Sequence, residues 1–181
     1  SDTCTPRPHA TPLEDRSDPL SLQDQMQILY EIAISIGVTL DMSVMLTTAI
    51  DAFLRQLNGA AGAIYLSRQE APQAIPRSAR HNEALPVVAS LLPAELNRTT
   101  WETFIAALPQ QGQTAAGTYY HLLPLGNLGF LALIKHDHAL DADLLRMLTP
   151  LLVKLTEASR ACLQNEELAA AHHSILWERN M

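Results

Sequence analysis

Cysteine is scarce in this sequence, with only Cys4 and Cys162 in 181 residues. The two stand far apart and neither belongs to a C-x-x-C pair, which excludes a disulfide framework and a zinc knuckle. That usage suits a reducing cytoplasm better than secretion. Basic residues are also few: 12 Lys and Arg stand against 19 Asp and Glu, for a net charge of −7. With no Lys/Arg cluster, the chain has no electrostatic reason to hold DNA, RNA or anionic lipid. No apolar run approaches the ~18 residues needed for a membrane span. The start, "SDTCTPRPHATPLEDRSDP", is polar and rich in proline and does not read as a signal peptide. A Gly-rich phosphate loop, G-x-S-x-G and H-E-x-x-H are all missing. An enzyme reading therefore has no catalytic constellation to rest on, and no catalytic residue is assigned.

What is present suffices for one domain with a proper core, since 48% of the residues are apolar. Residues 1–19 hold four prolines and few large apolar groups. They bury too little to offset the entropy of ordering and read as a tail or linker. From Ser21 the pattern turns helical. Leu22, Met26, Leu29, Ala33 and Ile36 step by four and three, and Ile28 and Ile32 widen the stripe. A helix over Ser21 to Ile36 is apolar over much of its circumference, so it is expected to touch two surfaces, its own core and a partner. Gly37 stops it. Asp41 caps a second helix, in which Met42, Met45, Leu46, Ala49, Ile50, Phe53, Leu54 and Leu57 share one face. Asn58-Gly59 ends it.

"GAIYLS", Gly62 to Ser67, reads as a strand, and "QAIPRSARH", Gln73 to His81, as a weak one that Pro76 confines to an edge. Glu83 to Leu108 holds two short helical pieces, the second opened by a Thr99-x-x-Glu102 capping box. "GTYYHLLPL" and "LGFLALIKH" form a hairpin about Gly126-Asn127. From Leu128 to Ile134 that second strand is apolar on both alternating faces, whereas a sheet with one wet face should alternate apolar and polar. Both faces must be covered. The long helices can cover one. Only the short, proline-broken stretch Glu83 to Leu108 is left for the other, and so thin a lid is expected to leave a small cavity.

Asp141 caps a final long helix with Pro150 in its first turns, where a kink is expected. Leu144, Leu148, Leu151, Leu155, Ala158, Cys162, Asn165, Ala169, His172 and Leu176 alternate steps of four and three. That is a heptad seam, with Leu145, Leu152 and Leu163 off it and facing the domain core. The helix shows no stop signal before Met181, so a further segment is expected after it.

Two stretches resemble a known family. "LYEIAISIGVTLDMSVMLTTAIDAFLRQLNGAAGAIYL" is similar to the opening of a GAF domain, and "LLPLGNLGFLALIKHDHALDADLLRMLTPLLVKL" to its end. "TPLLVKLTEASRACLQNEEL" further resembles GAF modules near the N-terminus of bacterial sensor histidine kinases, hybrid ones included. The resemblance covers 20–164 and leaves 165–181 as the start of a coiled-coil linker helix. It implies an α+β fold of PAS/profilin type. A central antiparallel sheet would carry the long N- and C-terminal helices on one face and short helices on the other. It also implies a non-catalytic sensory module. Such a module would bind a small molecule or form a homodimer through its first and last helices, and would control an output domain in the same chain. A histidine kinase is the leading output, with a diguanylate cyclase or a ligand-free dimerisation module as alternatives. The Asn-Lys-x-Phe-x-Asp-Glu pattern of the cyclic-nucleotide binders is missing, as is a cysteine placed for a bilin. No cofactor is named. A methionine sulfoxide reductase on this scaffold ranks last, because it needs paired reactive cysteines near the pocket.

The expected pocket residues are Tyr65, Trp101, Phe104 and Tyr120, aromatic rings with polar handles suited to a small cavity. Their plainer role is ordinary core. The expected dimer seam is Leu22, Met26, Leu29, Ile36, Leu144, Leu148, Leu151, Leu155, Ala158, Cys162 and Asn165. Asn165 would fix register, and Cys162 would act as a redox switch or simply as a small buried apolar residue. "KHDHALDAD" holds His136, Asp137, His138, Asp141 and Asp143. His-x-His in extended chain puts both imidazoles on one side, but a polar strand end followed by a helix cap explains the same residues, and no metal is assigned. His172-His173 lacks the following Glu and Pro of a phosphoacceptor histidine.

Overall fold

Among the described residues ten elements follow one another: α1 (Leu22–Ala33), α2 (Met42–Leu57), β1 (Ala61–Leu66), β2 (Ser78–Arg80), α3 (Ala84–Leu91), α4 (Arg98–Ala106), β3 (Gln110–Gln113), β4 (Tyr119–Leu125), β5 (Gly129–Lys135) and α5 (Ala142–Arg179). The structure, a computed structural model, describes residues 20–67 and 75–179. The expected tail with Cys4, and the first two residues of the expected weak strand, lie outside the described residues.

The strands form one antiparallel sheet in the order β2-β1-β5-β4-β3. β5 lies at its centre, and all seven of its residues are buried. The strand period of two explains why. Leu131 and Leu133 point to one face, where Ile64, Leu66, Leu123 and Leu125 join them against α2 and α5. Phe130, Ala132 and Ile134 point to the other, with Ala61, Ala63, Tyr65 and Leu122, under α3 and α4. The two apolar faces read from the sequence are thus both covered, one by long helices and one by helices of eight and nine residues.

α2 is a one-faced helix. The Asp41 carboxylate accepts from the Val44 N–H at 3.1 Å, and Asn58 ends the helix in the left-handed region at φ 53°. Nine of its side chains are buried, and each large one contributes roughly 1.5–3 kcal/mol of transfer free energy. α1 packs chiefly on α2 and α5, with its Ile32, and Ile36 just beyond its end, in the core. The Lys154 Nζ donates to the Ala33 carbonyl at 2.7 Å and so satisfies one of the last carbonyls of α1. α1 ends three residues before the expected Ile36.

Two further local readings are corrected. The cap of α4 is Asn97, not Thr99: its side chain accepts from the Thr100 N–H at 3.0 Å, and the Thr100 hydroxyl takes the Asn97 N–H at 2.9 Å. The β4–β5 connection has three residues, 126–128, closed by the Leu128 N–H to the Leu125 carbonyl at 3.0 Å. Gly126 supplies the positive φ, +59°, and a Cβ on Gly129 would fall 1.7 Å from the Tyr65 carbonyl oxygen. β3, "QQGQ", for which the sequence pattern predicts no element, pairs along β4 as the sheet edge. α5 runs on through Pro150, which is exposed. No described helix is long and apolar enough to cross a membrane.

Candidate functional site

The face covered by α3 and α4 gathers aromatic rings about Phe130. Tyr65, its cross-strand neighbour on β1, stacks on it at 4.8 Å between centroids with planes 11° apart. Trp101 tilts over it at 5.9 Å, and Phe104 meets it edge-on at 5.4 Å. α4 presents both of these, and the Asn97–Thr100 box fixes where α4 begins. Tyr120 packs against the same cluster, half-buried, its ring lying over its cross-strand neighbour Gly112. A Cβ there would come within 2.5 Å of the Tyr120 hydroxyl. All four expected pocket residues are therefore on one face. The ring at their centre, Phe130, was not among them. Its signal was its place in the middle of the doubly apolar strand.

One polar atom in this cluster is left over. Trp101 is 4% exposed, and its Nε1–H has no acceptor among the described residues. Burial also pushes the Tyr65 phenol above its ordinary pKa.

The expected seam is corrected in its larger part. Leu144, Leu148, Leu151, Leu155 and Cys162 are buried in the protomer's own core, as is Ile36. α5 lies across the sheet and spends this stripe on α2 and the strands, so a twin cannot use it. Ala158 and Leu29 are half-buried against the same core. Leu22, Met26 and Asn165 are exposed. Leu152 is buried, and Leu145 and Leu163 pack partly against the core. The Cys162 thiol is free and buried. Its Sγ faces the Thr39 carbonyl at 3.7 Å, and burial, with Glu166 and Asp41 nearby, raises the thiol pKa.

A second polar constellation closes the end of α2. Lys135 is buried on the helix side of the sheet. Its Nζ donates to the carbonyls of Leu57 and Asn58, the latter at 3.3 Å, and pairs with Asp137 at 3.2 Å. The Asn58 amide donates to the other Asp137 oxygen at 3.0 Å. Burial alone would raise the Asp137 pKa. The backbone N–H of His138, the Asn58 amide and the Lys135 ammonium outweigh it and hold the carboxyl at about 2. Beside them His121 is buried, and its Nε2 accepts from the Leu140 N–H at 3.0 Å. Burial, then the nearby Lys135, lowers its pKa to about 4. The neutral ring carries its proton on Nδ1, which has no partner among the described residues. A cleft of about 700 Å³ opens over this cluster, between the starts of α1 and α5.

The remaining members of "KHDHALDAD" scatter. His136 meets Glu83 at 2.6 Å, His138 turns to the Ala139 carbonyl at 2.9 Å, and Asp143 pairs with Arg146. Among the described residues, no group of three or more His, Cys, Asp or Glu stands close enough to share a metal. A further groove of about 620 Å³, mostly apolar, runs between α5 and the β4–β5 hairpin, walled by Leu123, Leu145, Leu152 and Val153. None of these clefts is lined by the four aromatic candidates. Compared with known proteins, the chain matches no family model, and no curated protein matches its sequence.

Proposed function

We propose that this chain is a non-catalytic regulatory module of GAF type from a cytoplasmic signalling protein. It receives a small molecule on the α3–α4 face and passes the signal along α5 to an output domain. The observation that carries the reading is the Trp101 indole N–H, buried among aromatic rings with no acceptor among the described residues. A buried donor left unpaired costs about 1–3 kcal/mol, and a ligand that offers an acceptor there recovers it. The lid over this face is two short helices joined by loops, the kind of element that opens most readily. The raised thiol pKa of Cys162 argues against the reductase reading, which needs an activated thiolate. A sensor histidine kinase is the output most in keeping with the resemblance of the exit helix, with a diguanylate cyclase next.

The test is native mass spectrometry of the purified chain together with a small-molecule screen by melting temperature. Trp177→Phe leaves Trp101 as the one tryptophan, so its emission reports on the site. A binder is expected to raise the melting temperature and shift that emission, and Trp101→Phe is expected to weaken it. A binder that leaves Trp101 emission unmoved would place the site elsewhere.

A second reading, a ligand-free transmission module, is favoured by the close stacking of Tyr65, Trp101 and Phe104 on Phe130. It predicts a screen with no hit on this face.

A further inference from the structure

β3 covers only part of β4. Their pairing stops at Gln110 and Leu122, while β4 runs on to Leu125. The notch left at the sheet edge is walled by Pro109, which leads into β3, and by Leu123 and Pro124. α5 packs on β4 and supplies the opposite wall with Leu145, Leu152 and Val153. This is the mostly apolar groove of about 620 Å³. Leu123 and Leu152 belong to the helix-side core, so the groove is separate from the aromatic face around Trp101.

The chemistry of the walls narrows what can fill it. Pro109 and Pro124 carry no N–H. The Thr156 hydroxyl is taken by the Leu152 carbonyl at 2.7 Å. Its methyl faces the hairpin turn, where a Cβ on Gly126 would fall 3.2 Å from it. A peptide strand laid in the notch would find no donor at either proline, so the groove favours an aliphatic chain over an added strand. From Leu145 to Thr156 the helix wall is about 16 Å long, the shape of an extended acyl chain rather than of a ring system.

One end of the groove carries charge. Arg160 and Glu157 both line it, and neither forms an ion pair among the described residues. They are not equivalent. At about 100° per residue Arg160 falls within about 40° of Thr149 and Thr156, whereas Glu157 is about 100° from Thr156, on the outer rim. Helical side chains lean toward the N-terminus, so the long Arg160 side chain reaches back over Thr156 and the groove. We propose that the groove binds a free medium-chain fatty acid. The acyl chain lies between α5 and the end of β4, against Leu145, Leu152, Val153 and Leu123, and the carboxylate meets the Arg160 guanidinium, whose planar fork suits it. The site is a second one, on the opposite side of the sheet from the α3–α4 face, and it touches the helix that leaves the domain.

The test is calorimetric titration of the whole 181-residue chain with octanoate, decanoate and dodecanoate, each below the concentration at which it forms micelles. Binding is expected to tighten about fourfold per added methylene. Arg160→Gln, at an exposed position, is expected to weaken decanoate at least tenfold and to leave decanol unchanged. Val153→Asp, also exposed, is expected to weaken both at least tenfold, with the far-UV spectrum unchanged. Should Val153→Asp misfold, Arg160→Lys is expected to keep most of the decanoate affinity that Arg160→Gln loses. In a Trp177→Phe background decanoate is expected to leave Trp101 emission unmoved. No decanoate binding by the wild type overturns the proposal, including the case in which residues 1–19 fill the groove instead. Binding that falls as protein concentration rises assigns the groove to a second copy and overturns it too. So does decanoate binding that is indifferent to Arg160→Gln, or that shifts Trp101 emission. The α3–α4 site is judged separately, by ligands that do move that emission.

Discussion

Lys135, the last residue of β5, and Asp137, two residues beyond it, hold their ammonium and carboxylate 3.2 Å apart, with the ammonium also bonded to the carbonyls of Leu57 and Asn58 at the end of α2. A buried lysine is expensive unless every donor is used. Here all three go to named acceptors. The pair ties the end of one helix to the exit of the central strand.

Replacing Lys135 by Met is therefore expected to destabilise the fold by roughly 3 kcal/mol, because Asp137 and two carbonyls lose their partner. Urea denaturation measures this. A change below about 1 kcal/mol would mean that the cluster opens to water instead.

Acid is expected to weaken the fold in two stages. The folded pKa of His121 is about 4 against an ordinary 6.5. Between those values the unfolded chain takes up a proton that the folded chain refuses, so stability falls as pH drops from 6.5 toward 4. The Asp137 carboxyl, about 2 against 3.8, adds a further loss as pH falls below 3.8. Melting temperature is expected to decline steadily from pH 7 to pH 3, and His121→Gln to flatten the upper part of that curve.

Asn97→Ala removes a side-chain acceptor at the start of α4 and is expected to cost about 1 kcal/mol. In a Trp177→Phe background the loss should appear as earlier unfolding and a red-shifted emission from Trp101. Thr100→Val, which deletes the other half of the box, should give a similar loss.

Phe130→Ala empties the centre of the aromatic cluster and is expected to cost about 3–5 kcal/mol. Phe130→Leu should cost less. A cost for Phe130→Ala near 1 kcal/mol, by calorimetry or urea, would indicate that the face is already loosely packed.

Much of this architecture was legible in the residues. Asp41, the apolar face from Met42 to Leu57 and the stop at Asn58 agree locally on one helix, and tertiary contact only reinforces them. β5 announced its two covered faces by alternation alone. β3 was not legible, because "QQGQ" has no apolar side and owes its strand to pairing with β4. The cap of α4 was misplaced since Thr99-x-x-Glu102 and Asn97-x-x-Thr100 compete within two residues, and Asn is the stronger cap. The seam failed for a different reason. Seven-residue and 3.6-residue periods diverge by only about 20° per heptad. Leu144 to Leu155 spans too few turns to distinguish a stripe that faces a partner from one that faces its own sheet.

The short connection from His136 to Asp141 joins the central strand to α5, and it is held by Asp137 and by the Leu140–His121 bond. α5 has 38 residues, and at 1.5 Å each it reaches about 55 Å. α5 is held on the core as far as Cys162, and the stretch beyond it, about 25 Å long, is a lever: about three degrees of tilt where it leaves the core moves the tip near Arg179 by about 1 Å. A small rearrangement of the strands beneath α5 is enlarged at the far end.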